Sequence, residues 1–323
     1  MMSTAMKLGG RRTQSRVGVF LLGAAATGAL VSATAFGAGA ANAGVGACAS
    51  YNGNTVSTGS GGNSCASSGA NSFAYAIGTD NSAIANGPNS TAGAIGIGNS
   101  ALANGSNVFA SAVGTNNVAV ASGTWERATA TGNTPTGAPK NTAQAVGNGS
   151  AAAPNTATAS GVSNTVQTVG PGVGNEATAV GDHNNVAAGS STATPANHNK
   201  VRVYGNTNIA GAGNGDGNSV NVTGSGNTAF AGSNLGGTGN NDNRVNVFGN
   251  GNKVFAGAPN LTTTTSGASR NRATAVGNGS TVAAHSGNDN SASAIGNNDN
   301  VTAGPGNNHT KSVVGNNQSA SSP

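Results

Sequence analysis

The sequence predicts an all-β protein, a single-stranded parallel β-solenoid or β-roll of about ten to twelve short coils with loop insertions at one corner. A recurring phrase, columns of small residues and uneven spacing between glycines predict this fold. The phrase reads "AYAIGTDNSAIANG" at 74–87, "AGAIGIGNSALANG" at 92–105 and "ASAVGTNNVAVASG" at 110–123. Gly makes up 54 of the 323 residues and aromatic residues 3%, so a core of small side chains is expected instead of a conventional one.

The anchor of the repeat is G-x-x-N, a pattern typical of a tight turn. Glycine adopts a positive φ angle without steric cost, and an Asn side chain can bond back to the turn's backbone. The structural turns assigned in this way are Gly78 with Asn81, Gly96 with Asn99, Gly114 with Asn117, Gly205 with Asn208, Gly224 with Asn227 and Gly249 with Asn252. Because Asn recurs at one offset from Gly, we expect an internal ladder of amides that link neighbouring coils. The alternative is a row of solvated turn residues.

Small apolar residues alternate with polar ones on both sides of the anchor. This period of two is expected of strands with one buried face. Ala or Val stands four and two residues before the glycine, as at Ala74 and Ala76. Four residues past the Asn position, nine copies have only alanine: Ala85, Ala103, Ala121, Ala188, Ala212, Ala231, Ala256, Ala284 and Ala303. Stacked coils explain such columns, because each residue meets its counterpart about 4.8 Å away in the next coil.

The spacing between glycines varies in only one of two segments. The anchor glycine and the next glycine are nine or eight residues apart, whereas the following segment grows to 20 residues between Gly257 and Gly277. Solenoids accept insertions on one face in this way. The insertions include "TWERAT" (124–129), "TATPANHNK" (192–200) and "LTTTTSGASRNR" (261–272).

Two apolar columns stand where the alternation predicts outward-facing residues. The first contains Ile84, Leu102, Val120, Phe230 and Phe255. The second precedes the anchor glycine and contains Ile77, Ile95, Val113, Val180, Phe248, Val276 and Ile295. An exposed apolar stripe would be an association surface, whereas corner geometry could instead turn a column inward. Both interpretations stay open for the first column, a candidate interface. For the second we predict that the corner turns the residues inward.

The chain divides into four segments by composition. Residues 1–43 resemble an export signal, with Lys7, Arg11, Arg12 and Arg16 before an apolar run and a cleavage site after Ala43; Sec and Tat export both stay open. Residues 44–70 form a candidate cap closed by a disulfide between Cys48 and Cys65. Residues 71–318 form the solenoid, and residues 319–323 form a tail.

Four of the 13 basic residues and none of the 8 acidic residues lie in the signal. The remainder is nearly neutral, so we expect no nucleic-acid partner, and no stable membrane span after cleavage.

The rhythm A-x-A-I-G-x-x-N-S-x-A-x-A-x-G, over residues 70–318, resembles the head repeats of trimeric autotransporter adhesins. That resemblance implies a left-handed parallel β-roll of two-strand coils and association of three chains, hence a homo-oligomer. The composition is also similar to that of secreted Ala/Gly/Asn-rich repeat proteins of mycobacteria.

The sequence favours a structural or adhesive role over catalysis. The four histidines have no short partner spacing and the acidic residues are scattered, so we expect no catalytic site and no cofactor. Calcium-loop motifs are absent, and we expect no metal site. We therefore expect a secreted or cell-envelope protein that binds a host, matrix or envelope component through its solenoid surface or inserted loops. A self-assembling fibre or matrix component and a disordered low-complexity spacer are the alternatives.

Overall fold

The computed structural model describes residues 46–190, 195–232, 239–257 and 267–322; the predicted export signal and parts of the insertions predicted at 192–200 and 261–272 lie outside these ranges. Every regular element in the described ranges is a strand. The strands are β1 (Gly46–Tyr51), β2 (Asn54–Gly59), β3 (Ser64–Ser68), β4 (Phe73–Thr79), β5 (Ser82–Asn86), β6 (Thr91–Ile97), β7 (Ser100–Ser106), β8 (Phe109–Thr115), β9 (Asn117–Thr124), β10 (Glu126–Asn133), β11 (Asn141–Asn148), β12 (Asn155–Val162), β13 (Thr165–Gly170), β14 (Glu176–Asp182), β15 (Asn185–Gly189), β16 (Lys200–Tyr204), β17 (Ile209–Gly213), β18 (Ser219–Thr223), β19 (Thr228–Gly232), β20 (Arg244–Phe248), β21 (Lys253–Ala256), β22 (Arg272–Val276), β23 (Thr281–Ala284), β24 (Ser291–Ile295), β25 (Asn300–Ala303), β26 (Thr310–Val314) and β27 (Ser319–Ser321).

Two long sheets form the fold. From β3 onward, consecutive strands alternate between a 14-stranded and a 13-stranded sheet. From β4 onward, each strand pairs in parallel with the strand two places later, as β4 with β6 and β5 with β7. The chain therefore winds as a solenoid of two-strand coils, and the predicted fold class is confirmed. The strands β4 to β27 make twelve such coils.

The first strands close the start of the solenoid differently. Strand β1 pairs antiparallel with both β2 and β4, so the 14-stranded sheet begins with a hairpin. Cys48 on β1 and Cys65 on β3 form the predicted disulfide, which ties the two sheets together across the core. At the other end, β27 adds residues 319–321, within the predicted tail, to the 13-stranded sheet.

The core is a thin layer of alanine and valine. The alanines of the invariant column, from Ala85 to Ala303, are at most 3% exposed. Neighbouring coils align the core alanines of each column in register, as Ala83 with Ala101 and Ala85 with Ala103. Valine replaces alanine in the middle coils, where Val201, Val220 and Val245 stack in one column. The buried cluster between the two sheets consists of alanine, valine and the two cysteines.

A buried ladder of asparagine amides runs along the G-x-x-N corner. The backbone N–H and side-chain Nδ2 of Asn99 both donate to Oδ1 of Asn81, at 3.0 and 3.1 Å. Nδ2 of Asn99 also donates to the carbonyl of Gly114 in the next coil, at 2.7 Å. The same links recur, with local variations, along Asn63, Asn81, Asn99, Asn117, Asn141, Asn164, Asn184, Asn208, Asn227 and Asn252. All of these except Asn63 are buried, so the ladder interpretation is correct and the solvated alternative is wrong.

A second buried ladder, which sequence analysis did not predict, occupies the opposite corner. Its members are Asn155, Asn175, Asn199, Asn218, Asn243, Asn271 and Asn290. Nδ2 of Asn155 donates to the carboxylate of Glu126, which starts this ladder. Each of these asparagines precedes a strand of the 14-stranded sheet by one residue or stands at its first position.

Two outer ladders run in the opposite direction. At the G-x-x-N corner, the N–H of Asn250 donates to Oδ1 of Asn278 in the following coil, at 2.9 Å. At the other corner, the N–H of Asn197 donates to Oδ1 of Asp216. Turns such as the one at Asn250 and Asn252 are thus linked to the coil before by a buried side chain and to the coil after by an exposed one. This arrangement satisfies backbone groups that a sharp turn would otherwise leave unpaired.

The anchor glycines are required by close contact as well as by φ. Gly96 has φ +119°, and a Cβ atom built there would lie 1.9 Å from the carbonyl oxygen of Gly114. That carbonyl is the acceptor of the Asn99 amide. A side chain at this position would therefore displace the ladder itself.

The longer connections are not restricted to one corner. Residues 214–218 connect the 13-stranded sheet to the 14-stranded sheet, at the corner where the sequence predicts insertions. Residues 134–140, between β10 and β11, lie at the opposite corner.

The core changes in the last coil. There, half-buried Lys311 takes the register position of Ala292.

We predict that Asn99→Ala lowers the free energy of unfolding by at least about 3 kcal/mol, because it leaves several buried donors and acceptors of neighbouring turns unpaired. Asn104→Ala, at an exposed asparagine of the adjacent strand, is the control and should change it by less than about 0.5 kcal/mol. Urea denaturation followed by circular dichroism measures both. A cost below about 1 kcal/mol for Asn99→Ala would show that the ladder does not hold the coils together.

Candidate functional site

The column before the anchor glycines lies on the outer face of the 14-stranded sheet. We call it the exposed apolar column: Ile77, Ile95, Val113, Val180, Tyr204, Phe248, Val276, Ile295 and Val314. All but half-buried Val113 are between 37% and 75% exposed, so the prediction that the corner turns this column inward is wrong. The glycine at the next position bends the chain only after this residue, which therefore keeps the outward direction of the strand's alternation.

Three polar residues interrupt the exposed apolar column. They are Thr131, Ser160 and Thr223, on β10, β12 and β18. The column thus consists of a stretch on β4, β6 and β8, a shorter one on β14 and β16, and the longer stretch on β20, β22, β24 and β26. Apolar residues that recur on neighbouring strands form a contiguous patch, which distinguishes them from singly scattered surface residues.

The other apolar column lies on the 13-stranded sheet and is better covered. Ile84, Leu102, Val120 and Phe230 are half-buried, and Phe255 is 5% exposed. Phe230 and Phe255 stack with ring centroids 6.4 Å apart. Their ring faces shield each other, and a Cβ on neighbouring Gly211 would overlap the Phe230 ring. Phe230 and Phe255 thus pack against each other along the sheet, and the role of this column as an interface stays a prediction.

Charged residues gather on the 14-stranded sheet from β14 to β22. Glu176 forms ion pairs with Lys200 at 2.6 Å and with Arg202 at 3.2 Å. Burial opposes its ionisation, yet hydrogen bonds and attraction from these two cations lower the pKa of Glu176 overall. Arg244 and Arg272 are adjacent in register on β20 and β22. Neither takes part in the ion pairs found among the described residues.

A shallow groove of about 390 Å³ lies beside this charged area. Glu176 and His198 line it together with Thr156, Thr158 and Ala153. The threonines offer hydroxyl groups, but no nucleophile–base pair is formed by the lining side chains. Among the described residues, no three His, Cys, Asp or Glu side chains are close enough to hold a metal ion. The described part of the chain also has no helix of the length and apolarity needed to cross a membrane.

Glu126 is a fully buried carboxylate that sequence analysis assigned only to an insertion. Its Oε1 accepts hydrogen bonds from the N–H of Gly149 and from Nδ2 of Asn155, both at 2.9 Å. Its Oε2 has no hydrogen-bond partner among the described residues. Burial raises the pKa of Glu126 to about 7, although these two hydrogen bonds act to lower it. Glu126 takes the corner position that asparagine occupies in later coils. Its role is therefore structural, and its distinguishing property is the raised pKa of its carboxyl group.

We predict that Glu126 makes the fold less stable as the pH rises. The pKa is about 7 in the folded chain, so the folded state keeps its proton between about pH 4.5 and 7 while the unfolded state loses it. Stability from this group is complete below pH 4.5 and falls by up to about 3 kcal/mol by pH 8. Glu126→Gln preserves the acceptor and should remove this fall.

Urea denaturation at pH 5 and pH 8 measures the difference between wild type and Glu126→Gln. Glu176→Gln is the control, since the pKa of Glu176 is lowered and its contribution is lost towards low pH instead. Equal pH dependence in wild type and Glu126→Gln would contradict the assignment.

Comparison with known proteins adds no relative to these observations. No protein-family model matches the chain, and neither the curated proteins nor the solved structures contain a match. The resemblance to autotransporter head repeats and to mycobacterial secreted proteins therefore stays a prediction.

Proposed function

We propose that this protein is a non-catalytic structural and adhesive repeat protein, secreted or held at the cell envelope, which binds through the outer face of its 14-stranded sheet. The exposed apolar column is the observation that carries this proposal. It places Tyr204, Phe248 and Ile295 on the surface with about half of each side chain accessible to solvent. Such a patch on an otherwise polar face marks an association surface.

The stiffness of the solenoid suits this role. Neighbouring coils are joined by backbone pairing and, along most of the solenoid, by amide ladders at the corners. Residues of the exposed apolar column are therefore held at the strand spacing of about 4.8 Å, with little freedom to rearrange. A binding face that is ordered before contact loses less conformational entropy on binding.

The disulfide supports a non-cytoplasmic location. Cys48 and Cys65 are the only cysteines of the chain and are joined to each other. Structural disulfides persist in oxidising compartments such as the cell exterior. The export signal expected at residues 1–43 is consistent with this location.

Self-association is the second candidate for the same face. The longer stretch of the exposed apolar column runs along neighbouring strands β20, β22, β24 and β26, through Phe248, Val276, Ile295 and Val314. A second copy of the chain could cover it along its length. A homo-oligomer formed in this way would be a structural component and not an adhesin for another molecule.

We predict that replacing the apolar residues of this face abolishes adhesion. The variant Ile77→Thr/Ile95→Thr/Ile295→Thr uses threonine because Thr131 and Thr223 already occupy this column. We expect at least a tenfold loss of binding to immobilised matrix and cell-envelope preparations, measured by a surface-binding assay, since apolar contact area is lost. Sedimentation velocity of the same variant reports whether a homo-oligomer dissociates instead.

Ile97→Thr and Ile209→Thr are the matched controls. Both residues are exposed isoleucines, at 55% and 44%, and both lie outside the exposed apolar column. Unchanged adhesion and unchanged sedimentation of the triple variant would refute a role for this face. An equal loss in the controls would show that general hydrophobicity, and not the column, is responsible.

A further inference from the structure

Three chemically different columns lie side by side on the 14-stranded sheet between β16 and β24. The first contains Lys200, Ser219, Arg244, Arg272 and Ser291, the second Arg202, Asn221, Asn246, Thr274 and Ser293, and the third Tyr204, Thr223, Phe248, Val276 and Ile295. Cationic, amide or hydroxyl, and apolar groups thus follow one another across each strand. We call this area the three-column face.

The first column holds two arginines that form no ion pair with any acidic residue the structure describes. Arg244 and Arg272 occupy the same register position on neighbouring strands, and both are exposed. Like charges placed opposite each other in a sheet destabilise it. The described residues offer neither arginine an acidic partner within ion-pair distance, whereas Lys200 and Arg202 share Glu176 and Arg270 pairs with Asp289. An external anion between the two guanidinium groups would remove this repulsion.

The chemistry of the anion follows from the residue type. Guanidinium groups bind carboxylate, sulfate and phosphate through paired N–H donors, which a lysine cannot reproduce. The side chains of Ser219 and Ser291 flank the two arginines in the same column. They add hydroxyl groups that can bond to the remaining oxygens of such an anion.

The second and third columns indicate what carries the anion. Asn221 and Asn246 are joined by a side-chain hydrogen bond of 3.3 Å, and Asn246 is only 9% exposed. Half-buried Asn221, Thr274 and Ser293 are the members of the second column that can bond to the hydroxyl groups of a ligand. Tyr204 and Phe248 are 49% and 50% exposed and lie two strands apart, roughly 10 Å. Exposed rings at such a separation suit stacking against the apolar faces of sugar rings in an extended chain.

We propose that the three-column face binds an acidic polysaccharide, with a uronate or sulfate group held between Arg244 and Arg272. The sugar hydroxyls bond to Asn221, Thr274 and Ser293 of the second column, and sugar rings stack on Tyr204 and Phe248. This proposal rests on the adhesive function proposed above and names its ligand. A membrane surface fits less well. Only two cations of the face, Arg244 and Arg272, lack an acidic partner among the described residues, and they lie beside a broad row of amides and hydroxyls.

The test is binding of the full chain to heparin and to polygalacturonate, with dextran as the neutral polymer. We expect binding to one or both acidic polymers, weakening as salt is raised, and none to dextran. Arg244→Ser/Arg272→Ser replaces both arginines with serine, the residue that flanks them in the same column. This variant should bind the acidic polymers at least tenfold more weakly. Tyr204→Thr/Phe248→Thr should also reduce binding to the acidic polymers. Because these substitutions remove no charge, the binding that this variant loses should depend less on salt concentration than the binding that Arg244→Ser/Arg272→Ser loses.

Two single variants are controls for charge. Lys253→Ser removes an exposed cation from the 13-stranded sheet, and Arg127→Ser removes one from the first column outside the three-column face. Both should bind the acidic polymers within twofold of wild type. Circular dichroism and thermal unfolding confirm that every variant is folded, since all the substituted side chains are exposed.

Other outcomes overturn the proposal. Equal binding by wild type and Arg244→Ser/Arg272→Ser, an equal loss in Lys253→Ser, or binding to dextran would each do so. Tighter binding to vesicles of phosphatidylglycerol, or to single-stranded DNA, would assign the face to a membrane or a nucleic acid instead. If no acidic polymer binds while the Ile77→Thr/Ile95→Thr/Ile295→Thr variant still loses adhesion, the ligand is wrong and the adhesive function stands. If that variant keeps full adhesion, the proposed function itself fails.

Discussion

The hydrogen bond from one asparagine to the next, buried at the corner of each coil, is the interaction on which the remainder of the structure depends. A coil that turns sharply between two sheets directs N–H and C=O groups into an interior with no water. The amide of Asn99 bonds to the coil before it and to the coil after it, and so pairs groups that the turn itself cannot pair. Because the bond joins equivalent residues, it also fixes the register of neighbouring coils.

Several other features follow from that register. The carbonyl of Gly114 approaches the position of a Cβ at Gly96, which restricts the anchor to glycine. Alanine stacks on alanine between sheets that lie close together, so the core is thin and the aromatic residues are left to the outside. A sheet whose inner face is uniform can vary its outer face freely. The apolar, amide and cationic columns occur there, and the functional proposals concern that outer face alone.

The sequence was sufficient to predict the coil, because glycine, asparagine and alanine recur at fixed offsets around Gly78, Gly96 and Gly114. It was insufficient for the direction of Ile77 and its equivalents, since an apolar residue beside a glycine fits both a buried corner and an exposed strand end. The second ladder was missed, although its signal is present: Asn218 and Asn243 each stand two residues before the first valine of a strand. Glu126 replaces such an asparagine, and only the structure shows its burial. The pairing of Arg244 with Arg272 depends on strand register across an insertion, which residue spacing alone does not fix.

Lys311 affects how another copy of the molecule could stack on the coil that contains β26. It stands in line with Ala273 and Ala292, in a column that consists of alanine and valine from Ala74 to Ala292. Another layer laid over this rung would enclose an ammonium group without a counter-charge, at a cost of several kcal/mol. Inward-pointing charges of this type blunt the open edges of β-sheets against runaway stacking. Lys311 therefore opposes the stacking of another layer against β26.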